Sequence, residues 1–144
     1  MAEAQYALSL TQPWATLVAV GAKTLETRSW GTDYRGPLAI HASKRWIKED
    51  RALVYDEPFN TALWKYGFDN QPLGVVLAIV DLVYCYPIVG VAGIPPEPEL
   101  SFGNYEFGRY VWRLENVRRL AVPIPAKGSL GLWEWTPPEG WHVP

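Results

Sequence analysis

With a single cysteine, Cys85, the chain cannot close an internal disulfide, and with His41 and His142 as its only histidines it offers no multi-cysteine zinc site. Cys85 falls in an apolar, strand-like run, where a small buried side chain is its expected role. No metal set and no cofactor motif is read from the chain, and neither familiar Gly-rich phosphate loop occurs. Charged residues make up 19% of the composition and leave a net charge of −2, which excludes a protein that coats nucleic acid through bulk charge. There is no charged-then-apolar leader and no apolar stretch long enough to cross a bilayer, so the expectation is a cytoplasmic protein with no membrane partner. Internal repeats and low-complexity segments are also missing.

Aromatic residues are plentiful. Eight Trp, eight Tyr and four Phe in 144 residues can fill one core and leave rings over for a binding surface. The expectation is a single domain over 1–144, with its core at about 6–135 and a loosely attached tail at 136–144. Trp14, Leu17 and Val18 recur at helical spacing, with Ser9 or Thr11 as N-cap, Pro13 in the first turn and Gly21 as the stop. Leu38, Ile40 and Ala42 alternate with His41 and Ser43 as a strand. Residues 43–66 read as helical, broken at Pro58 into two short pieces. The run from Leu73 to Tyr86 is the strongest strand, 89–107 reads as a long loop, and Tyr110, Trp112 and Leu114 alternate as a further strand. Leu132 to Trp135 closes the pattern as a short strand.

One run stands apart. Gly21-Ala-Lys-Thr-Leu-Glu-Thr-Arg-Ser-Trp30 puts Lys23, Glu26 and Arg28 directly after the first helix. Alternation places Glu26, Arg28 and Trp30 on one side of a short strand, and Lys23 joins them only if the chain twists at the turn. Exposed, Glu26 and Arg28 would be a surface pair contributing less than about 1 kcal/mol. Enclosed by Trp14 and Trp30, the carboxylate would stay ionised and recognise a planar donor such as an amide or a nucleobase edge. From 23 to 48 six cations (Lys23, Arg28, Arg35, Lys44, Arg45, Lys48) face two carboxylates (Glu26, Asp33), a local patch able to hold phosphate.

Gly21-x-Lys23-x-x-Glu26-x-Arg28 resembles the signature of the ASCH domain family. Its flanks resemble that family too: Ser9-Leu10-Thr11-Gln12-Pro13-Trp14-Ala15 before it, then Ser29-Trp30, Arg35-Gly36-Pro37-Leu38 and Ile40-His41-Ala42-Ser43-Lys44. The likeness continues more loosely through 73–88 and Lys127-Gly128-Ser129-Leu130-Gly131-Leu132-Trp133. It implies an α+β, PUA-like fold, a small curved sheet or barrel with flanking helices, whose cleft takes RNA, DNA or a modified nucleoside. Some small members resembling this chain are amidohydrolases of acylated cytidine and others nucleases. The amidohydrolases carry a threonine three positions after the lysine where this chain has Glu26, which cannot supply a hydroxyl nucleophile but can activate water. Glu99 and Glu106 match the further catalytic acid only by region.

Three readings remain open. In the first, a recognition domain, Trp14 or Trp30 stacks on a base, Glu26 accepts from an exocyclic amine, and Lys23, Arg28 and Lys44 hold phosphate or a carbonyl. His41, Ser43, Lys127, Ser129 and Trp133 complete the candidate ligand set. In the second, a hydrolase, Lys23 and Glu26 are the catalytic candidates. A Ser–His arrangement is not read from His41 and its strand-mate Ser43, since no aspartate lies nearby in sequence. The third is a protein-interaction domain with a surplus aromatic surface. The first is preferred; oligomeric state is left open.

Overall fold

A computed structural model describes residues 6–144. The chain runs β1 (Tyr6–Leu10), α1 (Trp14–Ala19), β2 (Leu25–Arg28), β3 (Gly36–Ala42), α2 (Lys48–Ala52), a 3₁₀ turn (Leu53–Tyr55) and α3 (Phe59–Leu63). It continues through β4 (Val75–Pro87), a second 3₁₀ turn (Val91–Gly93), α4 (Glu99–Phe102), β5 (Tyr110–Pro125) and β6 (Leu132–Glu134). The strands form one six-stranded mixed sheet in the order β2-β5-β4-β3-β1-β6. β1 and β3 run parallel and every other neighbouring pair is antiparallel. This is the curved α+β sheet with flanking helices that the sequence predicts.

Curvature has local causes. The β4–β5 ladder shifts register at Val76/Ala78, Ile79/Asp81 and Leu82/Tyr84, and β3–β4 shifts at Ile40/His41. Each extra residue bends its strand and increases the twist, so two long strands roll into a half-barrel instead of lying flat.

Strand alternation divides the core. Leu8, Leu10, Leu38, Ile40, Val80, Leu82, Trp112 and Leu114 bury one face against α1, while Ala7, Ala39, Val76, Ile79 and Leu120 bury the other. That second face is covered by Trp135 and by the closing segment, whose Trp141 packs edge-on to Trp135 at 5.4 Å and whose Val143 is buried. The expected loose tail is therefore packed: its two apolar side chains find uncovered sheet. A third cluster wedges Leu17 of α1 against Val54, Phe59, Leu63 and Phe102.

Two further readings change. The first element is a strand, β1, that five residues of weak alternation do not announce. Ser9 consequently lies inside the sheet and caps nothing; helix α1 starts after Pro13, with the Gln12 side chain accepting from Thr16 N at 3.0 Å. The long loop also carries structure, since α4 sits within it. Gly21 ends α1 as expected, at φ +82°, a conformation that favours glycine.

Candidate functional site: a two-lobed cleft at the ends of three strands

β1, β2 and β3 end near one another, and the residues that finish them open onto a cleft with two lobes. The smaller lobe, about 400 Å³, is lined by Leu10, Trp14, Glu26, Thr27 and residues 101–104. The larger, about 930 Å³, is lined by His41, Ser43, Lys44, Gly74 and residues 125–131. Ser9, Thr11 and Arg28 line both and form the waist between them. Both volumes lie in the range of small-molecule sites.

Arg28 bridges the waist. Its Nε donates to Glu26 Oε2 at 3.1 Å and its Nη2 to the Ser9 carbonyl at 2.8 Å. Glu26 is held from behind as well, because Lys23 Nζ donates to Glu26 Oε1 at 3.0 Å and also to the Leu25 carbonyl. The chain does twist at the turn. Ala22 and Lys23 both return their N–H groups to the Leu17 carbonyl, and the loop this makes swings the Lys23 side chain under the strand. Burial pushes the Glu26 carboxyl up. The charges of Lys23 and Arg28, the Lys23 hydrogen bond and the Thr27 N–H outweigh it, so the group stays below the ordinary carboxylate value and ionised.

Lys23 stands outside the cleft. Its side chain is wholly buried and borders neither lobe, so it orients Glu26 and is not placed to touch a ligand. Trp30 is also elsewhere: β2 has ended at Arg28, strand alternation no longer applies, and the ring packs edge-on to Trp112 at 4.8 Å. Trp112 donates its indole N–H to the Trp30 carbonyl, locking that pair into the core. Trp14 does line the smaller lobe, backed edge-on by Phe59. Lys44, Ser43, Lys127 and Ser129 all line the larger one.

His41 faces a partner that sequence spacing does not reveal. β1 and β3 pair in parallel with Ser9 opposite His41, and Ser9 Oγ lies 2.8 Å from His41 Nδ1. His41 Nε2 lies 2.8 Å from the Ala126 carbonyl, and Trp133 donates its indole N–H to Ser9 Oγ at 3.1 Å. Trp133 thus supports Ser9 and does not line either lobe. Burial lowers the His41 pKa from its ordinary value, against the raising effect of the Ala126 hydrogen bond, so the ring is neutral at pH 7. Gly128 crosses directly above: a Cβ there would lie 2.6 Å from His41 Cε1 and 2.7 Å from Ser9 Oγ.

Neither regional acid reaches the cleft. Glu99 Oε2 accepts from Thr24 N at 2.6 Å and Thr24 Oγ1 at 2.9 Å, which pins α4 to the approach of β2. Glu106 is exposed and borders neither lobe. Sequence reasoning misses Ser9, Thr11 and the 101–104 segment as lining residues. The only available signal is that Ser9 and Thr11 flank the end of a strand, which alternation over five residues cannot establish. Among the described residues no group of three His, Cys, Asp or Glu is placed to hold a metal ion, and no helix is long and apolar enough to cross a membrane.

A curled half-barrel of this topology with a cleft at its strand ends defines a PUA-like α+β domain. The sequence profile of the ASCH domain matches residues 8–121, and the chain belongs to that family. It is 29% identical over 131 residues to activating signal cointegrator 1 from Mus musculus and, at the same identity and length, to that from Homo sapiens. Each match covers 90% of this chain and 22% of the relative, so the chain spans about a fifth of the length of these curated proteins. Among solved structures, ASCH from Zymomonas mobilis superposes with a TM-score of 0.55 at 14% identity, covering 91% of this chain and 87% of that one. A point mutant of the Zymomonas protein matches with the same TM-score at 12% identity, covering 91% and 89%. At such identities these likenesses carry the fold.

Proposed function

We propose that this domain binds single-stranded nucleic acid or a modified nucleoside across the two-lobed cleft, with a base in the smaller lobe and the sugar-phosphate in the larger. One observation carries the reading: the ionised, enclosed Glu26 carboxylate, clamped by Arg28, lines the smaller lobe together with the Trp14 indole. An anion fixed from behind is a selective acceptor for an exocyclic amine, and a solvated one is not. The Trp14 ring in the same lobe offers a surface for stacking, and stacking contributes about 1–3 kcal/mol per base. Arg28 at the waist with Lys44 and Lys127 in the larger lobe supplies positive charge for phosphate within a chain of net charge −2. Family membership is consistent with this reading, since nucleic-acid association is a property of ASCH domains.

The test is titration of short single-stranded RNA and DNA oligonucleotides, and of free modified nucleosides, monitored by tryptophan fluorescence. Arg28→Ala and Trp14→Ala are expected to weaken binding, and Glu26→Gln to change which base is preferred. Unchanged affinity in Trp14→Ala and Arg28→Ala, with both variants folded, would remove the cleft from the reading.

A further inference from the structure

Ser9 and His41 form a hydroxyl–imidazole pair that the binding reading does not use. Two neighbours fix its protons. The Ala126 carbonyl, 2.8 Å from His41 Nε2, can only accept, so Nε2 carries the hydrogen. Nδ1 of the neutral ring is then an unprotonated acceptor, 2.8 Å from Ser9 Oγ. The Trp133 N–H donates to the same Oγ at 3.1 Å, which leaves the hydroxyl hydrogen aimed at Nδ1. A nucleophile, a base within hydrogen-bond reach and a third group orienting that base make up the arrangement that activates a serine.

The surroundings give the hydroxyl a route to a substrate. Ser9 is half-buried at the waist and lines both lobes, whereas His41, with 2% exposure, is shielded from bulk water. The 125–131 segment passes so close that only glycine fits at 128 without striking Oγ and the His41 ring, while Ser9 itself borders the open volume of the lobe. Arg28, Lys44 and Lys127 line the same lobe and favour a substrate bearing negative charge.

From this geometry we propose that Ser9, activated by His41, is a nucleophile that cleaves small anionic carboxylic esters. The Ser9 proton passes to His41 Nδ1 as Oγ bonds to the ester carbonyl carbon. The carbon–oxygen bond to the alcohol then breaks and the alcohol leaves with that proton. Water gives a proton to Nδ1 and attacks the acyl-serine; the carboxylic acid departs and Oγ takes the proton back. The net reaction is ester plus water to acid plus alcohol. Glu26 and Trp14 take no part in these steps, and covalent labelling of Ser9 is read separately from nucleic-acid binding.

A fluorophosphonate probe tests the nucleophile directly. It should add one phosphonyl group to the intact chain, mapped by mass spectrometry to Ser9, with loss of fluoride, and Ser9→Ala should take up none. His41→Gln keeps a donor toward Ala126 and an acceptor toward Ser9 but loses basicity, and should slow labelling about 10²–10⁴-fold. The labelling rate of the parent should rise with pH through a midpoint below 6.5, the ordinary histidine value. Release of p-nitrophenolate from a p-nitrophenyl hemisuccinate ester should follow the same variants. Absence of an adduct on Ser9, or a His41→Gln protein that melts like the parent and labels at the parental rate, overturns the proposal. Should His41→Gln fail to fold, the Ser9 mapping and the parental pH profile decide alone.

Discussion

The Lys23 ammonium lies 3.0 Å from Glu26 Oε1 with none of its side chain exposed, while the Arg28 guanidinium holds the other carboxylate oxygen from the cleft side. The anion of the signature is thus gripped by one cation in the core and one at the surface, and the two should respond differently to removal. Lys23→Ala leaves a buried carboxylate short of its partner and is expected to cost about 3–5 kcal/mol of stability. Arg28→Ala, at a side chain 24% exposed, should cost less, since water can take its place. Urea denaturation of both variants measures this; a Lys23→Ala loss below about 1 kcal/mol would mean the pair behaves as a surface ion pair.

Acid should destabilise the fold in two steps. His41 has a folded pKa below the ordinary 6.5, so the unfolded chain binds the proton first; the stabilisation is complete above 6.5 and erodes as pH falls below it. Glu26, also depressed, contributes stability above its ordinary 4.5 and loses it as pH falls toward its folded value. A melting-temperature profile from pH 8 to 3 should show both declines, and His41→Gln should remove the upper one only. A parental profile flat between 7 and 5 would contradict the assignment of His41.

Trp14 and Trp30 flank the same signature but face different surroundings. Trp14→Ala is expected to lower nucleobase affinity by about 1–3 kcal/mol, the contribution of one stacked base. Trp30→Ala removes the ring packed on Trp112 and should lower the melting temperature while leaving the affinity of the folded protein intact. Isothermal titration beside thermal melts separates the two; equal losses of affinity would place both rings against the ligand.

Lys44 and Lys127 are exposed residues of the larger lobe, so their removal should not affect folding. If each meets a phosphate, Lys44→Ala and Lys127→Ala should each reduce the slope of log affinity against log salt by about 0.7 on a single strand. A slope identical to the parent's would assign the charge in this lobe to something other than a phosphate chain.

Gly128→Ala probes the close crossing over Ser9 and His41. The new methyl meets a ring and a hydroxyl that are held by their own hydrogen bonds, so the segment must move, and a loss of about 1–3 kcal/mol is expected from overpacking. Thermal melts check this. A variant as stable as the parent would show that the 125–131 segment yields at little cost.

Much of the frame is legible in the residues alone. The alternation of Leu38, Ile40 and Ala42, the apolar run that became β4, the stop at Gly21 and the break near Pro58 follow from periodicity and backbone chemistry, which act over a few neighbours. The density of the family motif between Leu8 and Lys44 identifies the fold for the same reason: its residues are contiguous and ordered. Glu26 and Arg28, two apart on a strand, share a face whatever lies around them.

What local pattern cannot carry is the pairing of distant strands and the path of the chain between them. Lys23 drops into the core and Trp30 leaves the cleft because the turn after α1 and the end of β2 redirect their side chains, and neither bend is visible in alternation. Ser9 meets His41 only because β1 pairs in parallel with β3, and Ala126 and Trp133 reach that pair from more than eighty residues away. The amino-acid sequence by itself determined the family, the strand faces and the charged signature. Tertiary structure decided which of those charges is buried, which tryptophan faces the cleft and which serine the histidine serves, because each depends on contacts between segments far apart along the chain.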